Sequence, residues 1–472
     1  MKDQIKDIEK NYNYFVEVMT HVLTDSVNLE IINDIREIYA RATPHELREL
    51  IAKHFIPTDQ ERKSHAEIPT PVKLVNEMLD VVPSDFWTQP HTVFEPCCGK
   101  GNFVIGIFER FNQGLAQSIP DPIERCRVIM QHCLYFADIN PMDVFITTEI
   151  MKCHVRHYTQ TDEINYQFNS HVGDTLTLDI FKQWKLKGFD AIIGNPPYQE
   201  IVGPRKTQPK WNLFVIKMFP YILKDGYLVM VHPSGWRSPT GVFKEVFDLV
   251  NSRKILYLSM HDFKQGQEVF GLGTNFDYYV MQNAESAHYE TTVQDIDNNV
   301  SKINLKDWDF IPSGGFSLYD NLIAKNEGKV NVLHDYSSYE TRKAWMSKTR
   351  NSEFSYPCVY TITERDGLNL YYSSVKNGHF GVPKVIWSNG LGTYPVVDEN
   401  GEYGLTQFSY AIVDSISNLQ HIADAMNRPD FIKLMNYVKF TNNKYNHKVI
   451  SLFKKDFWKY FIDVAESKIS DH

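Results

Sequence analysis

The segment Ile192-Ile193-Gly194-Asn195-Pro196-Pro197-Tyr198 carries an apolar run straight into a rigid polar turn. An exocyclic amine on a purine is a poor nucleophile, because its lone pair is delocalised into the ring. Methylating it requires acceptors that draw the amine toward tetrahedral geometry. The Asn195 side-chain oxygen and the Pro196 carbonyl can accept its two N–H bonds, while Pro196 and Pro197 fix the backbone that aims them. Tyr198 offers a face for stacking on the base. The same four residues also suit a plain Asn-Pro turn after a core strand, with an ordinary buried tyrosine.

A second pattern, Phe94-Glu95-Pro96-Cys97-Cys98-Gly99-Lys100-Gly101-Asn102-Phe103, reads as a strand, a glycine turn and a helix start. Glycines at 99 and 101 let the backbone approach a ligand closely, and the helix start offers unpaired N–H groups. The spacing is neither GxGxxG nor a phosphate loop with Lys-Ser or Lys-Thr. Cys97 and Cys98 read as small fillers, since adjacent cysteines rarely meet disulfide geometry. In Tyr135-Phe136-Ala137-Asp138-Ile139-Asn140-Pro141 an acid closes the next strand, where a carboxylate can accept both hydroxyls of a ribose; an N-cap is the competing role. In Gly173-Asp174-Thr175, Asp174 can accept an adenine amine or simply make a turn.

These residues need a scaffold, and the 472-residue chain is long enough for two or three domains. With 43% apolar and 23% charged residues it has the composition of a folded globular protein. Helical spacing runs from residue 5 to about 55, with Thr43-Pro44-His45-Glu46 as a helix start, and a polar linker covers 58–65. Strands are expected at 92–95, 134–138, 191–194, 227–232, 255–260 and 278–282, alternating with helices as in a doubly wound parallel sheet. After about 285 the text turns Asn-, Ser-, Tyr- and Gly-rich. We therefore expect a helical segment over 1–65, an α/β catalytic domain over 66–285 and an α+β region over 286–472.

A net charge of −9 excludes a polycation that coats nucleic acid or a membrane, so any basic surface must be local. Between residues 428 and 460 eight cations, including Lys444, Lys448, Lys454 and Lys455, stand against two carboxylates and are interleaved with aromatics. They form either a phosphate-facing surface or a solvated face over an aromatic core. The six cysteines make no CxxC pair and no zinc spacing, so no metal is expected and the setting is reducing and cytoplasmic. No apolar run reaches the length of a membrane span, and Met1-Lys2-Asp3-Gln4-Ile5-Lys6-Asp7 alternates charge without an apolar core of signal-peptide length, so neither export nor membrane insertion is expected.

The order of the motifs is their most specific property. Ile68-Pro69-Thr70-Pro71, then the glycine turn, ADINP, GDT and GNPPY, resembles the gamma-class amino methyltransferases that use S-adenosylmethionine, over roughly residues 66–284. The resemblance implies a Rossmann-like methyltransferase sheet and a C-terminal target-recognition domain. It implies that Thr70, Pro71, Glu95, Pro96, Cys97, Gly99, Gly101 and Phe103 hold the cofactor. Asp138 would take its ribose, with Ile139, Asp174 and Thr175 around its adenine. Asn195, Pro196, Pro197 and Tyr198 would be catalytic, with Asn212 and Phe270 near the target base. The chain departs from the family's usual pattern in Cys97-Cys98, where Ala-Cys is common, and in Asp138, where glutamate is frequent. The implied activity is site-specific N6-adenine methylation of DNA after base flipping, in a restriction-modification or phage system, with a cognate endonuclease as partner. The alternatives are a methyltransferase for RNA or a protein glutamine, and a silent nucleic-acid-binding specificity subunit.

Overall fold

In the computed structural model the residues described are 69–462, except 162–165, 204–205, 239–240, 242, 286–288, 389–393 and 441–446. The expected helical segment over 1–65 lies outside them. The chain divides into two compact units: Met1–Val231 with Tyr279–Ala284, and His232–Tyr278 with Glu285–His472.

In the first unit the strands follow from short apolar runs. β1 (Val93–Glu95) is buried throughout and pairs in parallel with β2 (Leu134–Asp138) on one side and β4 (Phe189–Gly194) on the other. A strand flanked on both sides inside a parallel sheet is buried on both faces, which is why these segments read as continuous apolar runs. β3 (Asn169–Val172) extends the sheet beyond β2, and β7 (Ile222–Pro233) pairs in parallel with β4. The order is β7-β4-β1-β2-β3, with Tyr279–Ala284 beside β7. Asn283 Nδ2 donates to Ile222 O (3.0 Å) at that edge.

Three helices place the polar corners. α1 (Val72–Asp80) buries Leu74, Val75, Met78 and Leu79 along one stripe. α2 (Asn102–Gly114) starts from Gly101 in the left-handed region, and α3 (Pro141–Thr159) is capped by Asn140, with Pro141 at its first position. The chain runs outward from β1 to β2 and β3, then returns to β4. The strand order therefore reverses between β1 and β4, and crevices open there at the carboxyl ends of such sheets. After β4 comes an exposed hairpin of β5 (Gln199–Gly203) and β6 (Lys206–Pro209), then α4 (Trp211–Met218).

In the second unit Arg253–His261 pairs in parallel with Thr291–Gln294, which pairs antiparallel with Val300–Ile303. Two four-stranded sheets follow. The first runs Asn331–Leu333, Ser409–Val413, Lys384–Ser388, Val396–Asp398; the second runs Met346–Ser347, Gly367–Ser373, Tyr356–Thr363, Gly404–Leu405. A core that includes Trp387, Leu419, Phe431, Phe453 and Phe457 is covered by helices Ile416–Met426 and Pro429–Asn436. Among the described residues two ion pairs are enclosed, Arg237 with Asp277 (2.8 Å) and Lys384 with Asp398 (2.6 Å).

Candidate active site

The turn after β1 is held by backbone. Cys98 N donates to Ala137 O (2.9 Å), Gly101 N to Cys98 O (2.8 Å), and Gly99 N to Asp138 Oδ2 (2.9 Å). Gly99 and Gly101 have φ of +47° and +84°, a region that costs an L side chain roughly 1–2 kcal/mol. A Cβ at Gly101 would sit 2.9 Å from Thr147 Oγ1, so the glycine lets α2 and α3 approach. A Cβ at Gly99 would meet nothing within 4 Å, because that residue lines open space.

The turn after β4 is tied to this corner side chain by side chain. Asn195 Nδ2 donates to Thr70 Oγ1 (3.0 Å), Asn102 Nδ2 to Thr70 O (2.8 Å), and the Cys97 thiol to Asn195 O (3.2 Å). Thr175 Oγ1 donates to Pro96 O (2.7 Å), and Lys210 N to Tyr198 O (3.1 Å). Residues far apart in sequence thereby converge at the point where the strand order reverses.

Between the two turns lies a cavity of about 390 Å³, a size typical of ligand sites. Of the residues expected at the site it brings together Thr70, Glu95, Pro96, Cys97, Gly99, Phe103, Asp138, Ile139, Asp174, Thr175, Asn195, Pro196, Pro197 and Tyr198. Ile139 is 51% exposed, an apolar side chain turned into open space just after Asp138. Pro71 and Gly101 stand behind the lining, as the N-caps of α1 and α2. Asn212 lies on α4, half-buried and outside the lining, although Lys210 and Phe214 belong to it. Phe270 is in the second unit, its ring 4.9 Å from that of Phe276.

Carboxylates dominate the wall. Glu95, Asp138, Asp143, Asp174 and Glu200 face it, against Lys100 and Lys210. Burial, then the nearby Asp138, raises the Glu95 carboxyl well above the ordinary range, and Glu95 Oε2 has no hydrogen-bond partner among the described residues. Such a site repels phosphate and suits a ligand that carries positive charge and N–H donors. Burial also raises both thiols. Glu95 and then Asp138 add to it at Cys97, and Asp138 and then Glu95 at Cys98, so neither is a thiolate nucleophile. Both are free cysteines, as expected of fillers. Asp174 Oδ1 accepts from Leu176 N, so it caps a short 3-10 turn while lining the cavity.

Sequence reasoning passed over Lys100, Asn102, Asn140, Asp143, Glu200, Ile201, Lys210 and Phe214, all in the lining. Asn102 and Asn140 stand inside motifs already singled out, at the start and the N-cap of the helices that follow, and that was the available signal. The hairpin residues carry none, because β5 and β6 are short and exposed.

Residues 132–270 match the family model of the Eco57I restriction-modification methylase. The resemblance read from motif order is borne out over this methylase segment, which contains β2, β4 and the Asn195–Tyr198 turn. A candidate type II restriction enzyme and methyltransferase of Methanocaldococcus jannaschii is 31% identical over 87 residues, which are 16% of this chain and 7% of that protein. A nuclease-deletion form of the Type ISP restriction-modification enzyme LlaGI, solved with a DNA substrate mimic, aligns at TM-score 0.52 and 12% identity. It covers 84% of this chain and 46% of that one, and it shares the fold. The Type IIL restriction-modification enzyme MmeI, solved with DNA, aligns at TM-score 0.46 and 11% identity over 89% of this chain and 66% of that one. The chain thus spans under half the length of LlaGI. The α/β sheet expected from the sequence is present, and no helix among the described residues is long and apolar enough to cross a membrane.

Proposed function

We propose that the chain is a site-specific DNA methyltransferase that uses S-adenosylmethionine to methylate N6 of an extruded adenine. The observation that carries this reading is the meeting, in one carboxylate-lined cavity, of the Gly99 turn and the Asn195–Tyr198 turn. The wall fits the cofactor: Glu95 and Asp138 supply acceptors for an ammonium and for ribose hydroxyls, Ile139 an apolar face, and Gly99 an uncrowded backbone. When bound, S-adenosylmethionine supplies a methyl group activated by a positive sulfur.

The chain's own task is to hold the amine. Asn195 Nδ2 donates to Thr70 Oγ1, an arrangement that leaves Oδ1 as the acceptor for one amine proton. The Pro196 carbonyl accepts the other, and the double proline keeps the two acceptors in register. Drawing both protons out of the ring plane localises the nitrogen lone pair. The amine is cationic after transfer and releases its proton from the Asn195 or Pro196 contact to water, so no strong base is needed. Positioning supplies most of the acceleration. Tyr198, 9% exposed in the lining, gives the flipped base a surface that offsets part of the few kcal/mol lost on unstacking. In this reading residues 66–285 catalyse, 286–472 recognise the target, and a restriction endonuclease of the same specificity is the physiological counterpart.

The test is to incubate the purified chain with methyl-labelled cofactor and, separately, genomic DNA, RNA and protein, then map the labelled atom. Label at N6 of adenine in DNA is the expected result. Label confined to RNA or to a glutamine amide would reject the substrate while sparing the site.

A further inference from the structure

We infer that the edge of the Met346–Ser347 sheet, with Lys376, is the surface that grips the phosphate backbone of duplex DNA. This rests on the reading of DNA as substrate and assigns the grip to residues outside the basic stretch at 428–460.

The segment Thr341-Arg342-Lys343-Ala344-Trp345-Met346-Ser347-Lys348-Thr349-Arg350-Asn351 holds four cations and no carboxylate, in a chain whose net charge is −9. It is built as a platform. Met346 pairs with Ser373 and Ser347 with Tyr372, at the outer edge of the second four-stranded sheet. Ser374 N donates to Trp345 O (3.0 Å), Met346 N to Lys343 O (3.0 Å), and Trp345 Nε1 to Ser338 O (2.9 Å). Beneath it Tyr339, Met346 and Cys358 form a small buried cluster. The hydroxyl of Tyr339 accepts from Asn377 N (2.8 Å), which ties the loop of Lys376 to the same corner.

What this platform presents is uncompensated positive charge. Arg342 is paired with Glu340, but Lys343, Lys348, Arg350 and Lys376 have no carboxylate partner among the described residues. The ammonium of Lys343 lies over the Trp345 ring (5.6 Å) and that of Lys376 over those of Phe380 (5.7 Å) and Tyr356 (5.9 Å), contacts that place two of the charges beside aromatic faces without neutralising them. Tyr336, 68% exposed two residues before Ser338, adds a hydroxyl donor. Cations on and beside a sheet edge, with aromatic and hydroxyl groups nearby, suit a linear array of phosphates.

In the stretch at 428–460 four of the eight cations are already paired with carboxylates. Lys433 is paired with Asp297 (3.0 Å), Lys454 with Glu327 (3.3 Å), Lys459 with Asp456 (3.3 Å) and Arg428 with Asp430 (3.5 Å). Its aromatics Phe440, Phe453 and Phe457 are buried in the core of the unit. A phosphate at any of these four would compete with a carboxylate already in place. Lys444 lies outside the described residues.

The experiment measures binding of the full-length chain to a mixed-sequence 40-base-pair duplex by fluorescence anisotropy from 50 to 300 mM salt. Two variants are compared with the parent: Lys343→Gln, Lys348→Gln, Arg350→Gln and Lys376→Gln together, and Lys448→Gln, Lys454→Gln and Lys455→Gln together. Cofactor affinity monitors folding. With ~0.9 of log–log salt slope per phosphate, the first variant should lose about 3 to 4 of slope and on the order of 100-fold in affinity, while the second keeps most of both. If the parent binds and methylates DNA but the first variant keeps its slope, the surface assignment is overturned and the enzyme reading stands. If the parent neither binds nor methylates DNA, the reading fails and takes the assignment with it.

Discussion

The cavity of the first unit and the sheet edge of the second use charge in opposite ways. In the cavity, carboxylates and amides are packed against backbone, and Glu95 is 1% exposed. Several polar groups there are held by defined partners, as Asn195 is by Thr70 and Asp138 by Gly99 N. At the edge, cations stand in solvent, and any of them can exchange one phosphate for the next. The first arrangement selects a small molecule by geometry, and salt barely reaches it. The second collects affinity in nearly equal increments that salt erases. The two regions should therefore fail differently when cut.

The sharpest cut is Asn195→Ala. Losing an acceptor that is preorganised by Thr70 should lower turnover by about 10²–10³-fold, the usual cost of removing one oriented hydrogen-bonding group at a reacting centre. Cofactor affinity should stay within a few fold and the DNA salt slope should not move. Single-turnover rates beside calorimetric cofactor titration decide it, and retained turnover would end the amine-holding role. Next in size is Asp138→Ala. Its carboxylate accepts from Gly99 N and from Asn140 N, both at 2.9 Å, so it supports the turn as well as offering itself to a ribose. A charge-assisted hydrogen bond is worth about 1.5–3 kcal/mol, and cofactor affinity should drop by about 10- to 100-fold. An unchanged dissociation constant would remove Asp138 from the cofactor site.

Legibility followed burial. The strands expected at 134–138 and 191–194 appear as Leu134–Asp138 and Phe189–Gly194, because a strand paired on both sides in a parallel sheet must be apolar along its length. Asn169–Val172 was missed for the converse reason: at the edge it is only half-buried, and Asn-Ser-His-Val has no apolar pattern. The motifs that line the cavity were readable because glycines and prolines there answer to backbone geometry, as Gly101 against Thr147 shows. Lys210 and Glu200 were not, since nothing in a lysine or a glutamate says which loop will carry it past an opening. The lysines between 428 and 460 show the same limit. Their count was plain in the sequence, but their partners Asp297 and Glu327 lie more than a hundred residues away.

Glu95→Gln tests the electrostatics of the cavity through stability. Burial and then Asp138 raise the folded-state pKa above the unfolded value near 4.5. The folded chain thus holds this proton more tightly than the unfolded one. The stability gained is complete below the unfolded value and is lost as pH rises through the folded one. Glutamine cannot ionise, so the variant's Tm should gain on the parent's as pH is raised from 4 to 8, with other titrations cancelling in the difference. A Tm difference that is flat across that range would mean that burial does not raise the Glu95 carboxyl.

The smallest effect is expected for Lys454→Gln, and it bears on where the electrostatic surface ends. The backbone N–H groups of Glu327, Asn326 and Lys325 already hold the Glu327 carboxyl below the usual range, with Lys454 a lesser contributor. Lys325 N and Asn326 N donate to it at 2.9 and 3.1 Å. Removing the lysine charge therefore leaves a carboxylate that is still satisfied, and takes from DNA a cation that was already engaged. Affinity for the mixed-sequence duplex should stay within about two-fold and the salt slope within one phosphate's share, ~0.9. A tenfold loss would show that Lys454 leaves Glu327 for a phosphate when DNA arrives, and the gripping surface would then have to include the segment around Lys454 as well as the sheet edge.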